Sequence, residues 1–250
     1  MKLGKLPARI NATQLKLSAY LDTAVLPKIP AEFGHERAIA DYGMLGNDEV
    51  GDCVWAGAAH ETMIWAREAG RVVEFSTGSV ESDYSALTGY TPGDPATDQG
   101  TDMQAAASYR RRIGVLDATG QRHRVGAYVA LTPGDPDELA AAVYIFGAVG
   151  VGLRFPEYAM DEFRDRKPWE VRHGTPKIAG GHYVPVVARR GGRFCVVTWG
   201  RVQEMSGGFY RRYCDEAVAY LSTEMLTSGV SPEGLNLTQL QTDLQAFTRR

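Results

Sequence analysis

Cysteine is scarce in this chain. Cys53, Cys195 and Cys214 are the only three, an odd count without the regular spacing of a disulfide framework. One bridge remains open to such a set, and Cys195 with Cys214 is the pair to test. No CxxC or HxxxH ligand pair occurs, so a structural zinc site has little support. Long apolar runs are also missing. The most apolar stretch, "LAAAVYIFGAVGVGL", is shorter than a membrane-spanning helix and carries three glycines. The opening "MKLGKLPARINATQLKLSAYL" is positively charged but has no apolar core of signal-peptide length. The expectation is therefore a cytoplasmic protein without a signal peptide or membrane span, or one carried in a virion. Nor is there an excess of positive charge: 27 Lys and Arg stand against 30 Asp and Glu, for a net charge of -3, and no nucleic-acid partner is expected. The short clusters Arg110-Arg111-Arg112 and Arg189-Arg190 read as solvated faces. No internal repeat is visible, and nothing calls for a cofactor.

What is present is ordinary globular composition, with 44% hydrophobic and 23% charged residues, enough to build a sizeable core. "LPKIPAEFGHE" reads as an extended lead-in, because two prolines and a glycine break regular structure. From Asp52 to Gly70 the apolar residues Val54, Ala58, Met63, Ile64 and Trp65 recur at helical spacing, with Gly70 as the stop. A second helix is expected over Val80–Leu87 with Ser79 as N-cap. "TGYTPGDPATDQGTD" is a loop. Asp102 would cap a third helix, "MQAAASYRRRIG", and Asp135 or Asp137 a fourth, "ELAAAVYIFG". The period then changes. "VGVGLRF", "HYVPVVARR", "RFCVVTWG" and "GGFYRRYCD" read as strands, with Gly191-Gly192 signalling a hairpin. Helices first and strands later suggest an α+β layout of two segregated halves, with a site in the cleft between them. The tail "SPEGLNLTQLQTDLQAFTRR" carries an apolar stripe (Leu237, Leu240, Leu244, Phe247) that would pack back or bind a protein partner.

The stretch "GNDEVGDCVWAGAAH", Gly46 to His60, poses the main question. Cys53 is either a small hydrophobe in a core or a nucleophile. With Asp52 as N-cap, Cys53 falls in the first turn of a helix, where unpaired N–H groups and the helix dipole favour a thiolate. Asn47, six residues earlier, carries an amide that could donate to a developing oxyanion; the plain alternative is a turn residue. A thiol nucleophile needs a base, normally histidine. His60 lies two turns along the same helix, about 10 Å away along the axis. His35 and His123 sit in polar, exposed-looking stretches, and His173 in a charged loop. His182 follows Gly180-Gly181 and begins an apolar strand that would hold an imidazole rigidly. Asp48 and Asp52 read as turn and cap residues, with calcium binding through "NDEVGD" the minor alternative; no metal ligand is assigned.

Taken together, these motifs resemble the papain-like cysteine peptidase fold. "NDEVGDCVWAGAAH" is similar to that family's oxyanion residue and nucleophile helix, with Asn47 at the usual Gln position and Cys53 as nucleophile. "GGHYVPVVARR" resembles its His-bearing strand, with His182. "FCVVTWG" resembles its "NSWG" strand end, with Trp199 and Gly200. "ELAAAVYIFGAVGVGLRF" is similar to the helix-to-strand crossover, and "DQGTDMQAAASYRRRIGV" to the segment whose leading glycines border the substrate cleft. Here that corner is Gln99-Gly100, with Gly181 across from it. The segments keep family order over Gly46 to Tyr213. Papain-like sequences with "GDC" and "TWG" variants are also similar to ones seen in bacteriophage genomes.

The resemblance implies an α+β domain over residues 41–225. Its helical half would be centred on the helix that starts at Cys53, and its other half would be an antiparallel sheet or barrel. Residues 1–40 would be an N-terminal extension and residues 226–250 a partly helical tail. It implies a cysteine peptidase or related amide hydrolase acting on a peptide or protein. Cys53 would be the nucleophile, His182 the base, Asn47 the oxyanion residue and Trp199 an aromatic cover over His182. The sequence departs from the pattern where the family's orienting Asn should stand. That position, two residues before the tryptophan, is Val197, which cannot bond an imidazole. Thr198 is the nearest polar neighbour, but alternation along a strand would turn it the other way; Thr198 after a one-residue shift, Gln203 and Asp215 are the candidate orienters. Val197 keeps a second reading open, an inactive papain-like fold serving as a structural or binding module, such as a virion component. An acyltransferase using the same Cys–His chemistry is a third. Contact between Cys53 and His182 in an open cleft favours the enzyme, and a filled cleft favours the module.

Overall fold

The computed structural model describes residues 1–9, 15–20, 28–34 and 36–227. The tail stripe of Leu237, Leu240, Leu244 and Phe247 lies outside the described residues, as does His35. The described residues form seven α-helices and nine strands. In chain order they are β1 (Phe33–Gly34), α1 (Cys53–Glu68), α2 (Thr77–Thr88), α3 (Met103–Arg112), β2 (Val115–Leu116), β3 (Arg122–His123), β4 (Val125–Ala130), α4 (Pro136–Phe146), β5 (Val149–Pro156), α5 (Tyr158–Arg164), β6 (Ile178–Arg190), β7 (Arg193–Thr198), β8 (Arg201–Met205), α6 (Gly207–Tyr213), β9 (Cys214–Ser222) and α7 (Thr223–Thr227). The α+β layout and the central helix opening at Cys53 are as the sequence implies.

The sheet is antiparallel and open, in the order β4-β9-β5-β6-β7-β8, with β1 beside β6. Among the described residues it does not close into a barrel. Alternation along β6 and β7 sorts their residues onto two faces. Val184, Val186, Phe194 and Val196 face one core with α4, α5 and α6. Tyr183, Val187, Cys195 and Val197 face the other core with α1, α2, α3 and α7. Helices therefore cover both faces.

Helix α1 lies at the centre: 13 of its 16 residues are buried, which marks it as an interior helix rather than an amphipathic surface one. Gly57 makes its close packing possible, since a Cβ there would lie 2.5 Å from the Tyr183 ring on β6. The tyrosine hydroxyl donates to Glu61 at 2.8 Å, and Glu61 pairs with Arg110 at 2.7 Å. Arg110 is only 1% exposed, and its guanidinium sits 3.9 Å from the Tyr220 ring centre. The reading of "RRR" as a solvated face fails at this residue, because helical spacing turns one of three consecutive arginines inward.

Local signals placed most elements well. Asp102 caps α3, accepting from Ala105 N–H at 2.8 Å. Asp135 caps α4, accepting from the N–H groups of Asp137 and Glu138. The β6–β7 hairpin turns at Gly191 and Gly192, both at positive φ, as a primed two-residue turn requires. Two readings need correction. Helix α2 begins at Thr77, because Ser76 and Ser79 close a reciprocal capping box one turn earlier than expected. "GGFYRRYCD" is not a strand. Ser206 accepts from Phe209 N–H and starts α6 there, and β9 begins only at Cys214. The three cysteines are all free, so Cys195 and Cys214 do not pair.

Candidate active site

Asp52 stands at the N-cap position of α1 and Cys53 opens the helix, but the Asp52 side chain makes no cap hydrogen bond. Its carboxyl is fully buried, and neither oxygen finds a partner of good geometry among the described residues. Burial pushes its pKa well above the usual carboxylate range, aided by nearby Glu81 and Asp98 and opposed by the Asn47 side chain. A neutral carboxylic acid is the form this pocket favours.

The Cys53 sulfur accepts a hydrogen bond from the Tyr183 N–H at 3.4 Å. The thiol therefore lies against β6 at the residue next to His182. The His182 ring is fully buried. It stacks on Trp199 at 4.3 Å with 15° between planes, and Phe155 meets it edge-on at 5.3 Å. Its Nε2 lies 2.7 Å from Thr198 Oγ1, and its Nδ1 has no hydrogen-bond partner among the described residues. The expectation that Thr198 faces away is overturned. His182 belongs to the same side of β6 as Val184 and Val186, and Thr198 to the same side of β7 as Phe194 and Val196. Val197 points into the opposite core. The other two candidates stand elsewhere: Gln203 donates to Lys167 O, and Asp215 pairs with Lys5.

Trp199 and Gly200 follow at φ +44° and +76°, forming the two-residue turn into β8. That turn folds the indole over His182 and directs its Nε1–H to Lys2 O at 3.1 Å. Asn47 is buried; its Nδ2 donates to Val50 O at 3.1 Å, and its carbonyl accepts from Lys2 N–H at 2.8 Å. Gln99 bonds within its own loop, to Ala96 O. Gly100 and Gly181 both lie against the N-terminal segment. A Cβ at Gly100 would lie 2.2 Å from Gly4 O, and one at Gly181 would lie 2.1 Å from Lys5 O.

Those last contacts belong to a feature that sequence reasoning missed. Residues 1–6 run between Thr101 and Gly181. Gly4 and Lys5 N–H both donate to Gly181 O, at 3.2 and 3.1 Å. Thr101 N–H donates to Gly4 O at 2.7 Å, and Leu6 N–H to Thr101 O at 2.9 Å. Main-chain pairing of this kind needs no particular side chain, so no local pattern signals it. The space where a cleft is expected is thus filled, but by the chain's own N-terminal segment and not by core side chains. The consequence is desolvation. Cys53 is 2% exposed, and burial raises its thiol to about 12, against the lowering pull of the Tyr183 and Gly4 N–H groups and Lys5. Burial lowers His182 to about 3. In this arrangement both are neutral at pH 7.

The remaining histidines play other parts. His60 Nε2 sits 3.0 and 3.1 Å from the Tyr42 and Gly43 carbonyls, and burial lowers its pKa to about 4. His123 is buried rather than exposed, held between Asp117 at 3.0 Å and Glu224 at 2.8 Å. His173 is exposed. Among the described residues no three His, Cys, Asp or Glu side chains gather as a metal site, and no helix is long and apolar enough to cross a membrane.

An open antiparallel sheet, a buried helix opening on cysteine and a histidine strand beside it define the papain-like cysteine protease fold. Solved structures with this fold match most of the chain. Xylellain, a cysteine protease from Xylella fastidiosa, superposes with a TM-score of 0.68 at 12% identity, over 88% of this chain and 95% of that one. A procathepsin B from Trypanosoma congolense gives 0.61 at 14%, over 88% and 86%. A digestive procathepsin L from Tenebrio molitor larval midgut gives 0.56 at 18%, over 83% and 76%. No protein-family model and no curated protein sequence matches the chain.

Proposed function

We propose that this protein is a cysteine peptidase or related amide hydrolase acting on peptides or proteins, with Cys53 as nucleophile and His182 as base. One observation carries the reading. The Cys53 sulfur is bonded at Tyr183, the residue after His182, while Thr198 takes Nε2 of that ring and leaves Nδ1 without a partner. With Nε2–H donating to Thr198, Nδ1 carries the lone pair that takes the thiol proton. The thiolate attacks the substrate carbonyl. The Cys53 N–H and the Asn47 amide steady the oxyanion, for which Asn47 must release Val50 O or use its second N–H. His182 then returns the proton to the amine as the C–N bond breaks, and water, deprotonated by the same imidazole, hydrolyses the Cys53 thioester to the acid and the free thiol. Trp199 shields the imidazole from water, which strengthens its hydrogen bonding. Thr198 does for His182 what the family's Asn does, one residue nearer the turn.

The test is chemical. A peptide-based thiol electrophile is incubated with the wild-type chain, and labelled sites are mapped by mass spectrometry beside a peptide-cleavage panel. Selective labelling of Cys53, with cleavage lost in Cys53→Ala and His182→Ala, is the expected result. Equal labelling of all three cysteines with no turnover would sink the proposal. The filled cleft favours one rival, a papain-like binding module, as in a virion component. The rival predicts peptide binding by both wild type and Cys53→Ala without cleavage by either.

A further inference from the structure

Lys5 is the one charged side chain that residues 1–6 bury in the cleft. Its side chain is 0% exposed. Its Nζ lies 2.9 and 3.0 Å from the two Asp215 oxygens, 4.0 Å from Glu216 and 2.9 Å from Leu6 O. Gln104 donates to the other Glu216 oxygen. The stem needs a slot as well as a counter-charge, and Gly152 supplies it. A Cβ on Gly152 would lie 2.1 Å from Lys5 Cε and 2.8 Å from Met103 Sδ. The pocket thus has an apolar wall the width of a methylene chain and two carboxylates at its end.

We infer that this pocket, formed by Gly152, Met103, Asp215 and Glu216, is the specificity pocket of the cleft and takes a lysine-length cationic side chain from a peptide that displaces residues 1–6. The inference rests on reading the cleft as a peptide-binding site. The backbone bonds from Gly181 and Thr101 accept any sequence, so discrimination falls to side-chain pockets. An uncharged side chain in this pocket leaves two largely buried carboxylates without a cation, and a site built for a polar partner rejects its apolar isostere strongly. The resident segment fills the pocket without presenting a bond for attack. Its Gly4 N–H is held by Gly181 O, and its Gly4 carbonyl by the Thr101 N–H.

The probe is a fluorescent hexapeptide copying residues 1–6, beside an analogue with norleucine in place of the fifth residue. Both are titrated by anisotropy into the full chain carrying Cys53→Ala and Lys5→Glu, the second change repelling the chain's own segment from the carboxylates. The lysine peptide is expected to bind at least about tenfold more tightly, and Asp215→Asn with Glu216→Gln to bring the two peptides level. Equal affinities, no binding of either peptide, or a preference that survives the double change would overturn the inference. If Lys5→Glu prevents folding, Cys53→Ala alone serves, because competition by the resident segment weakens both peptides by the same factor and leaves their ratio intact. Cleavage is measured separately on the chain with Cys53 intact. Lysine-selective binding without cleavage keeps the pocket and removes the peptidase; cleavage without lysine preference does the reverse.

Discussion

Displacing the N-terminal segment should switch on the reactivity of Cys53, and the size of the effect follows from burial. Lys5→Glu replaces the cation between Asp215 and Glu216 with a third carboxylate, in a pocket where the side chain is fully buried. Two or three like charges a few ångströms apart cannot all stay ionised and dry, so the segment leaves. Cys53 then loses its cover from Gly4 and Lys5 and regains solvent. A thiol at about 12 rather than its ordinary 9.0 carries about a thousandfold less thiolate at pH 7.5. Full exposure would recover all of that factor and partial exposure a share of it. Alkylation by iodoacetamide follows the thiolate. The expected outcome is a rise of about 30- to 1,000-fold in the Cys53 labelling rate. Cys195, held near 11 chiefly by burial and away from the Asp215 and Glu216 pair, serves as the internal standard that does not change. Mass-spectrometric peptide mapping over a time course reads both at once. A Cys53 rate that is the same in both chains, with the fold intact by circular dichroism, would refute the link between the segment and the buried thiol.

Three further outcomes are expected. Thr198→Val keeps the shape but leaves His182 Nε2 without its partner; it should cost about 1–3 kcal/mol of stability and lower peptide cleavage at least about tenfold, while Thr198→Ser restores both, as urea melts and a cleavage assay would reveal. Arg110→Leu strands the buried Glu61 carboxylate, so urea unfolding should report a loss of about 3–5 kcal/mol; a loss below about 1 kcal/mol would mean the pair is not the buried strut described above. His60 and His182 are lowered to about 4 and about 3, so the unfolded chain takes protons below about 6.5 that the native chain refuses. Their contribution is complete above pH 6.5 and is lost as pH falls toward those values, about 2 kcal/mol each by pH 5. His60→Gln, which keeps an N–H for the Tyr42 and Gly43 carbonyls, should lose about 2 kcal/mol less than wild type between pH 7 and pH 5; equal losses would refute the assignment.

Much of the fold was legible because its signals are local. Asp102 and Asp135 announce helix starts through their own side chains, and Gly191-Gly192 announces a turn through backbone freedom. α6 was misread because "GFYRRY" has strand-like aromatics, while the deciding residue, Ser206, lies just outside it. Cys53 and His182 were found from their neighbours in sequence. Lys5 was not found, because what buries it is a slot opened by Gly152 and two carboxylates more than two hundred residues away. No local pattern carries that information.

The imidazole's partner is the most instructive case, because the error was one residue long. Counting back two positions from Trp199 lands on Val197, and strand alternation correctly puts Val197 and Thr198 on opposite faces. What the count could not supply was which face His182 uses. That is set across the sheet. Leu153 on β5 pairs with His182 on β6, and Leu153 lies in the core with α4, α5 and α6. Once His182 is on that face, only the even-numbered positions of β7 can reach it, and Thr198 is the last of them before the turn. The left-handed pair Trp199-Gly200 ends the strand there, so the hydroxyl meets Nε2 and the indole folds over the ring in the same step. A valine at position 197 is then no loss to the histidine, because it belongs to the packing of the central helix. The doubt that Val197 cast on a third site residue passes to a different and measurable question: how tightly the chain's own Lys5 holds the cleft shut.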